Sequence, residues 1–356
     1  MTPKGRTTRR GVLIGTTAAG LLAAAPALWA PPARAKPFDA AAWRDYAQRF
    51  LLPEGRIVDT GNNGVSHSEG QGYGLLLALA AGDRAAFDRL WGWTQRNLMV
   101  RDDGLAAWRW QPEGGVTDRN NASDGDILIA WALLRAAEQW KAEAYRAPAV
   151  ALVKALTAAV VIEHAGTTLL LPGRDGFRKG DGLVVNPSYW VFPALRAFAA
   201  LPGAEVWRKV AEGGLVLLSK ARFGGFQLPP DWLAVDAKGG VTVAEGFRKQ
   251  YGYDAVRVPL YLAWDGYRDP YYFRPFAVLA AKYGGTAVPA TVSLPGGTTT
   301  QVSASVGMLA VYRLASRIAA TGNEVTVPPF GPNEDYYSTT LAHLSALAAQ
   351  SLGIEP

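Results

Sequence analysis

Ser66-His67-Ser68-Glu69-Gly70-Gln71-Gly72-Tyr73-Gly74 runs directly into the apolar stretch Leu75–Ala81. Ser66 or Ser68 is placed to cap a helix that carries Glu69 in its first turn. Gly70, Gly72 and Gly74 each cost such a helix roughly 1 kcal/mol relative to alanine. A sequence that tolerates this cost needs something bulky close to the backbone. The stretch therefore reads as a crowded, buried helix with a single acid at its positive end, where the dipole favours negative charge.

Outward from this helix, apolar segments of helical length alternate with Gly/Pro-rich loops. The spacing predicts helices over 39–51, 69–82, 84–98, 124–140, 147–163, 187–200, 204–219, 255–266, 270–284, 304–319 and 335–351. Strand signals are few: 168–171, 183–185, and weaker ones at 241–243 and 291–294. There is no alternation of strand and helix, no phosphate loop and no repeat of fixed period. Helices in series with elaborate loops between them suggest helical hairpins arranged in a toroid, an open helical array being the alternative.

The chain has 356 residues, 49% of them hydrophobic, with 12 Trp and no Cys. That is ample for a large core and excludes disulfides and thiolate metal sites. His67, His164 and His343 show no ligand spacing, so no metal and no cofactor are expected. The net charge of +6 is concentrated at the start: Lys4, Arg6, Arg9, Arg10 and Arg34 are unopposed in residues 1–35. Without them 31 bases face 30 acids, which excludes a global attraction to nucleic acid or anionic membrane. Residues 1–35 read as an export signal. Thr8-Arg9-Arg10-Gly11-Val12-Leu13 is a twin-arginine motif, Val12–Ala30 is weakly apolar, and Ala33-Arg34-Ala35 supplies a cleavage site. A periplasmic or secreted monomer, with no membrane insertion after signal removal, is the expectation for residues 36–356.

Three acids stand at helix starts: Glu69, Asp124 and Asp254. Ser123 and Asp126 have the spacing of a capping box, which leaves Asp124 free to face a cavity. Arg257, three residues after Asp254, can pair with it and hold it ionised, as a general base must be. A general acid needs the opposite. Glu69 keeps its proton only if burial or a neighbouring carboxylate outweighs the helix dipole. Aromatic rings gather in the loops beside these acids: Trp108 and Trp110 around Arg109, Tyr189 and Trp190 after Asn186, then Trp232 and Tyr251. Rings so placed suit stacking on sugar faces, with Arg109, Asn186 and Arg257 as polar contacts. Paired carboxylates, no metal and loop aromatics point to glycoside hydrolysis.

These residues resemble glycoside hydrolase family 8. The signature Ala-Ser-Asp-Gly-Asp-x-x-Ile-Ala-x-Ala-Leu-Leu-x-Ala-x-x-x-Trp is present unbroken from Ala122 to Trp140. The segments Ser68–Gly74 and Tyr253–Arg257 match two more, in order, and the resemblance covers essentially all of 36–356. It implies an all-α (α/α)6 barrel and inverting hydrolysis of β-1,4-linked glycans such as cellulose. By position, Glu69 takes the general acid role, Asp254 the general base role, and Asp124 positions the sugar. The resemblance is strongest to periplasmic endoglucanases of bacterial cellulose-synthesis systems, which implies association with a cellulose synthase complex. A chitosanase or xylanase of the same family, and a non-catalytic glycan-binding component, are the alternatives. Eleven predicted helices fall one short of twelve, so a short helix is expected within 220–250 or 285–303.

Overall fold

The computed structural model describes residues 38–354, except 323, 330 and 332. The export signal assigned to residues 1–35 lies outside the described residues. Eleven α-helices are present among the described residues: α1 Ala40–Phe50, α2 Ser68–Ala80, α3 Arg84–Asn97, α4 Ser123–Trp140, α5 Glu143–Val160, α6 Phe192–Ala199, α7 Val206–Lys220, α8 Arg257–Trp264, α9 Pro270–Lys282, α10 Val306–Ala319 and α11 Tyr336–Leu352. All eleven predicted helices exist, most within two or three residues of the expected bounds. The fifth starts at Glu143, with Pro148 inside it, and gives way to a strand at Val161. The sixth begins as a turn of 3-10 helix over Pro187–Tyr189 before α6 proper.

Among the described residues eleven short strands fill the loops: β1 Ser66–His67, β2 Arg109–Gln111, β3 Gly115–Asp118, β4 Val161–His164, β5 Thr167–Leu170, β6 Arg178–Lys179, β7 Gly182–Val185, β8 Leu233–Val235, β9 Val241–Val243, β10 Gln250–Tyr251 and β11 Val292–Ser293. They pair antiparallel as β1-β2-β3, β4-β5, β6-β7-β8-β9 and β10-β11.

Burial sorts the helices into two layers. α2, α4, α8, α10 and α11 are buried over most of their circumference, as is the first half of α6. A helix apolar all round belongs inside. With α6 these form an inner ring in which α2 touches α4, α4 touches α6, α6 touches α8, α8 touches α10 and α11, and α11 returns to α2. α3, α5, α7 and α9 each bury one face against the inner helix before them, and α9 also packs on α10. α1 covers α11 through its aromatic face. The Tyr46 hydroxyl bonds Thr340 Oγ1 at 3.1 Å, the Tyr46 ring meets His343 edge-on, and Phe50 meets Tyr336. This is the (α/α)6 architecture with one outer position unfilled among the described residues.

The missing helix is in neither expected place. Residues 220–250 hold β8, β9 and the start of β10, and residues 285–303 hold β11. The gap lies instead between α10 and α11, where the described residues of 320–335 form no helix. Turn-forming Gly322 and Gly331 with Pro328 and Pro329 oppose helix there.

The layers also sort the loops. Connections from inner to outer helices are tight, such as 81–83, 141–142 and 265–269. Connections from outer to inner helices, 51–67, 98–122, 161–191, 221–256 and 283–305, are long and carry every strand. All of them deliver the chain to the N-terminal ends of inner helices.

The glycines of α2 have the purpose their cost implied. A Cβ on Gly72 would meet Leu128 Cβ of α4 at 2.5 Å, and one on Gly74 would meet Ile57 Cγ1 at 2.7 Å. The expected serine cap is absent, however. His67 precedes the helix without capping it, and Ser66 Oγ donates instead to the Ile57 carbonyl.

Candidate active site

The first turns of α2, α4 and α8 meet at that loop-bearing end. Glu69 is the second residue of α2, Asp124 the second of α4, and Arg257 the first of α8, with Asp254 in the turn before it. Their separation along the chain is resolved by one close approach. Gly125 presses α4 onto α2 so tightly that a Cβ there would lie 2.1 Å from Ser68 Oγ and 2.7 Å from the Glu69 backbone nitrogen.

Arg257 is the hub. It is 3% exposed, and its guanidinium touches all three acids. Nη1 contacts Glu69 Oε1 and lies 3.5 Å from Asp124 Oδ2, while Nη2 lies 2.9 Å from Asp254 Oδ1. Since both nitrogens belong to one rigid fork, the contacting oxygens of any two acids are at most roughly 9 Å apart, no farther than the carboxyl groups of an inverting pair. The rest of the fork is held by Tyr73 and Ser188, whose hydroxyl oxygens lie 3.2 and 3.0 Å away. A buried cation demands such compensation, because removing one partner leaves an uncompensated charge.

Three carboxylates around one cation cannot all ionise cheaply. Burial pushes Asp124 up to about 7, against the pull of the Gly125 N–H on its Oδ1. Asp254 is also driven well up, by loss of water first and then by the negative charges of Asp231 and Asp124. The expected pair of Arg257 with Asp254 is present, but its hold on the ionised form is opposed first by burial and then by two further acids. The Asn186 amide and the Trp232 ring N–H pull the other way, the former without closing a full hydrogen bond to protein. Asp254 and Glu69 nevertheless remain open to a ligand, with 32% and 21% of their side chains exposed.

The profile of glycosyl hydrolases family 8 matches residues 18–351. The chain belongs to this family. An endoglucanase of Cellulomonas uda is 39% identical over 297 residues, covering 81% of this chain and 82% of that protein. A family 8 endoglucanase from Klebsiella pneumoniae superposes with a TM-score of 0.82 at 39% identity, covering 87% of this chain and 99% of the other. An endo-beta-1,4-glucanase from Acetobacter xylinum gives 0.82 at 37%, covering 88% and 98%.

In this family 8 chain the expected contact residues divide. Asn186 is buried, and its Oδ1 accepts from the Ser188 N–H and hydroxyl, which shapes the turn beside Arg257. Tyr189 is half-buried under that guanidinium and meets Trp232 edge-on. Trp232 stacks with Phe247 at 4.4 Å and parallel to Phe177 at 5.9 Å. Trp108 lies parallel to His67, and its Nε1 donates to Asp118. Arg109 on β2 sits over the Trp108 ring, and Trp110 is wedged between Trp93 and the Arg56 guanidinium.

Two expected contacts are core instead. Trp190 is 1% exposed, donates from Nε1 to the Val210 carbonyl, and packs where Gly214 leaves room for its ring. Tyr251 is fully buried, and its hydroxyl donates to Tyr312. Neither is open to a ligand. The capping box also dissolves. Ser123 Oγ donates to the Leu171 carbonyl, and Asp126 accepts from Ala106 N–H and Asn121 Nδ2, pinning the loop that leads to Trp108.

Sequence reading missed three residues. Tyr73, one turn after Glu69, bonds Glu69 Oε1 at 3.2 Å and Tyr261 at 2.7 Å; the i,i+4 spacing was the available signal. Ser188 is polar in an otherwise apolar turn. Asp231 follows two prolines and abuts Trp232, an arrangement without meaning until the fold brings it to Asp254. Among the described residues no cluster of His, Asp and Glu has metal-binding geometry.

Proposed function

We propose that this protein is an endo-acting β-1,4-glucanase that hydrolyses cellulose and related glucans with inversion. The observation that carries the reading is the convergence of Glu69, Asp124 and Asp254 on one buried guanidinium, at the end of the barrel where every long loop gathers. Glu69 donates its proton to the departing glycosidic oxygen. Asp254 takes a proton from a water that attacks the anomeric carbon from the opposite face. The C–O bond to the leaving sugar breaks as the bond to water oxygen forms, and no glycosyl-enzyme is made. Asp124, buried and proton-holding near neutrality, contacts the sugar at the cleavage point. Its upward-shifted proton affinity supports the retention of a proton in the cluster that general acid catalysis requires.

Named endoglucanases among the relatives support glucan over chitosan or xylan, and Arg109, Arg119 and Arg174 in the loops disfavour the cationic chitosan. Three intact acids weigh against a purely glycan-binding role. Action on nascent cellulose in the periplasm, as a monomer working beside a synthase complex, extends the same reading, with the twin-arginine motif at Arg9-Arg10 in support. No described helix is long and apolar enough to cross a membrane. Proton NMR of the first product from a soluble β-1,4-glucan tests the mechanism. An α-anomer before mutarotation is expected, and a β-anomer refutes inversion. Rates on carboxymethyl cellulose, lichenan, xylan and chitosan side by side test the substrate.

A further inference from the structure

Asp231 lies outside the acid triad and is 4% exposed. It is tied at four points to the segment that carries Asp254. Oδ1 accepts from the backbone N–H groups of Gly252 and Ala255, both at 2.9 Å, and Oδ2 accepts from Gln250 Nε2 at 3.0 Å. Its own N–H donates to the Gln250 carbonyl at 2.8 Å. Asp254 sits between the two clamped N–H groups. Gly252 is needed for this approach, since a Cβ there would stand 3.0 Å from Asp231 Oδ2. The next residue, Trp232, turns its ring N–H toward Asp254.

We propose that Asp231 is a positioning residue for the hydrolytic reaction, whose carboxylate both fixes the turn that aims Asp254 and supplies a negative charge behind it. The proposal rests on the reading of Asp254 as the base. The two backbone N–H groups on Oδ1 need only an acceptor, which an amide oxygen also provides. A buried charge is an expensive acceptor, so its presence is explained by what it does to its neighbour. Burial raises Asp231 as well, but its N–H donors pull it back toward the ionised form, and Asp254 is raised further. Between the two acids, Asp254 is then the one that holds a proton longer and becomes the stronger base. The other charged and titratable groups facing this pair are Asp124 from α4, Glu69 from α2, Arg257 from α8, Tyr337 from α11, Tyr189 from the turn before α6, and Tyr251 and Tyr312 behind Asp231. The tyrosines stay neutral across the working range, because burial raises all four.

The sign follows. Removing the charge of Asp231 lets Asp254 lose its proton at lower pH. In Asp231→Asn the acidic limb of kcat/KM against pH, measured on cellopentaose, moves to lower pH by about one unit. The plateau falls as the base weakens, while KM changes little. Asp231→Ser, a smaller neutral acceptor, moves the limb the same way. Asp231→Glu keeps the charge and leaves the limb in place, while the longer arm misplaces the turn and lowers kcat. Limbs that coincide with wild type in both neutral variants overturn the proposal and make Asp231 structural only. Failure of both neutral variants to fold, judged by circular dichroism, overturns it equally. Asp254→Asn separates this from the reading beneath it. If the acidic limb survives in that variant, Asp254 is not the base; if it vanishes there but is unmoved in Asp231→Asn, only the role of Asp231 falls.

Discussion

Gly125→Ala sets two physical effects against each other. Gly125 is a helical residue in the first turn of α4 and needs no positive φ. Helix propensity alone predicts that alanine stabilises the protein by about 1 kcal/mol. The new Cβ, however, would lie 2.1 Å from Ser68 Oγ, 2.7 Å from Ser68 Cβ and 2.7 Å from the Glu69 nitrogen. Rotating Ser68 relieves only the first contact. The others are backbone or a Cβ, so α2 and α4 must separate by roughly 1 Å to restore van der Waals distance, and overpacking of this kind costs about 1–3 kcal/mol. Sterics win, and the net loss of up to about 2 kcal/mol lowers Tm by a few degrees. The activity loss is larger than the stability loss, because the displaced atoms carry Glu69. A shift near 1 Å costs on the order of 100-fold in rate. Differential scanning calorimetry and kcat/KM on cellopentaose, measured where the variant is fully folded, check both parts. A variant with raised Tm and wild-type turnover would show that the two helices are not in the tight register described here.

Glu69→Gln and Asp254→Asn each lower kcat by roughly two to four powers of ten. An aryl glycoside with a good leaving group rescues the first and not the second. Trp190→Ala destabilises by about 3–5 kcal/mol as a core truncation, whereas Trp108→Ala leaves Tm near wild type and raises KM for long oligosaccharides about 2–10-fold; calorimetry beside kinetics separates the two. Burial pushes Asp126 up to about 7, so the folded state holds a proton that the unfolded chain releases near pH 4. Its contribution to stability is full below pH 4 and fades as pH rises through 7, by on the order of 4 kcal/mol. Asp126→Asn flattens that dependence, which denaturant titrations at pH 5 and pH 8 read directly.

The helices and the triad were legible because their signals are local. Apolar periodicity marks α1 to α11, and an acid beside glycine or an i+3 arginine marks each of Glu69, Asp124 and Asp254. The aromatic contacts were legible only as a class. Trp190 and Trp232 both follow a proline-containing turn, yet one plugs the wall between α6 and α7 while the other turns its edge to Asp254. What separates them is Gly214, a residue on a different helix. The false capping box at Ser123 and Asp126 had the right spacing, but distant backbone groups at Leu171 and Ala106 competed for both side chains. The vacant outer position was invisible for the same reason: helix count is local, whereas the layer each helix occupies is not.

The meeting of α1 with α11 has a temporal consequence. Tyr46 and Thr340 are 294 residues apart in the chain, so at translation speeds of about 5–20 residues per second α1 emerges roughly 15–60 s before its partner. Throughout that interval Tyr46 and Phe50 lack the α11 side chains they pack against, and the circle of inner helices stays unclosed at α11. Closing so long a loop makes this seam the late step of folding. Loss of the last helix therefore does more than shorten the protein: it keeps the circle from closing at all.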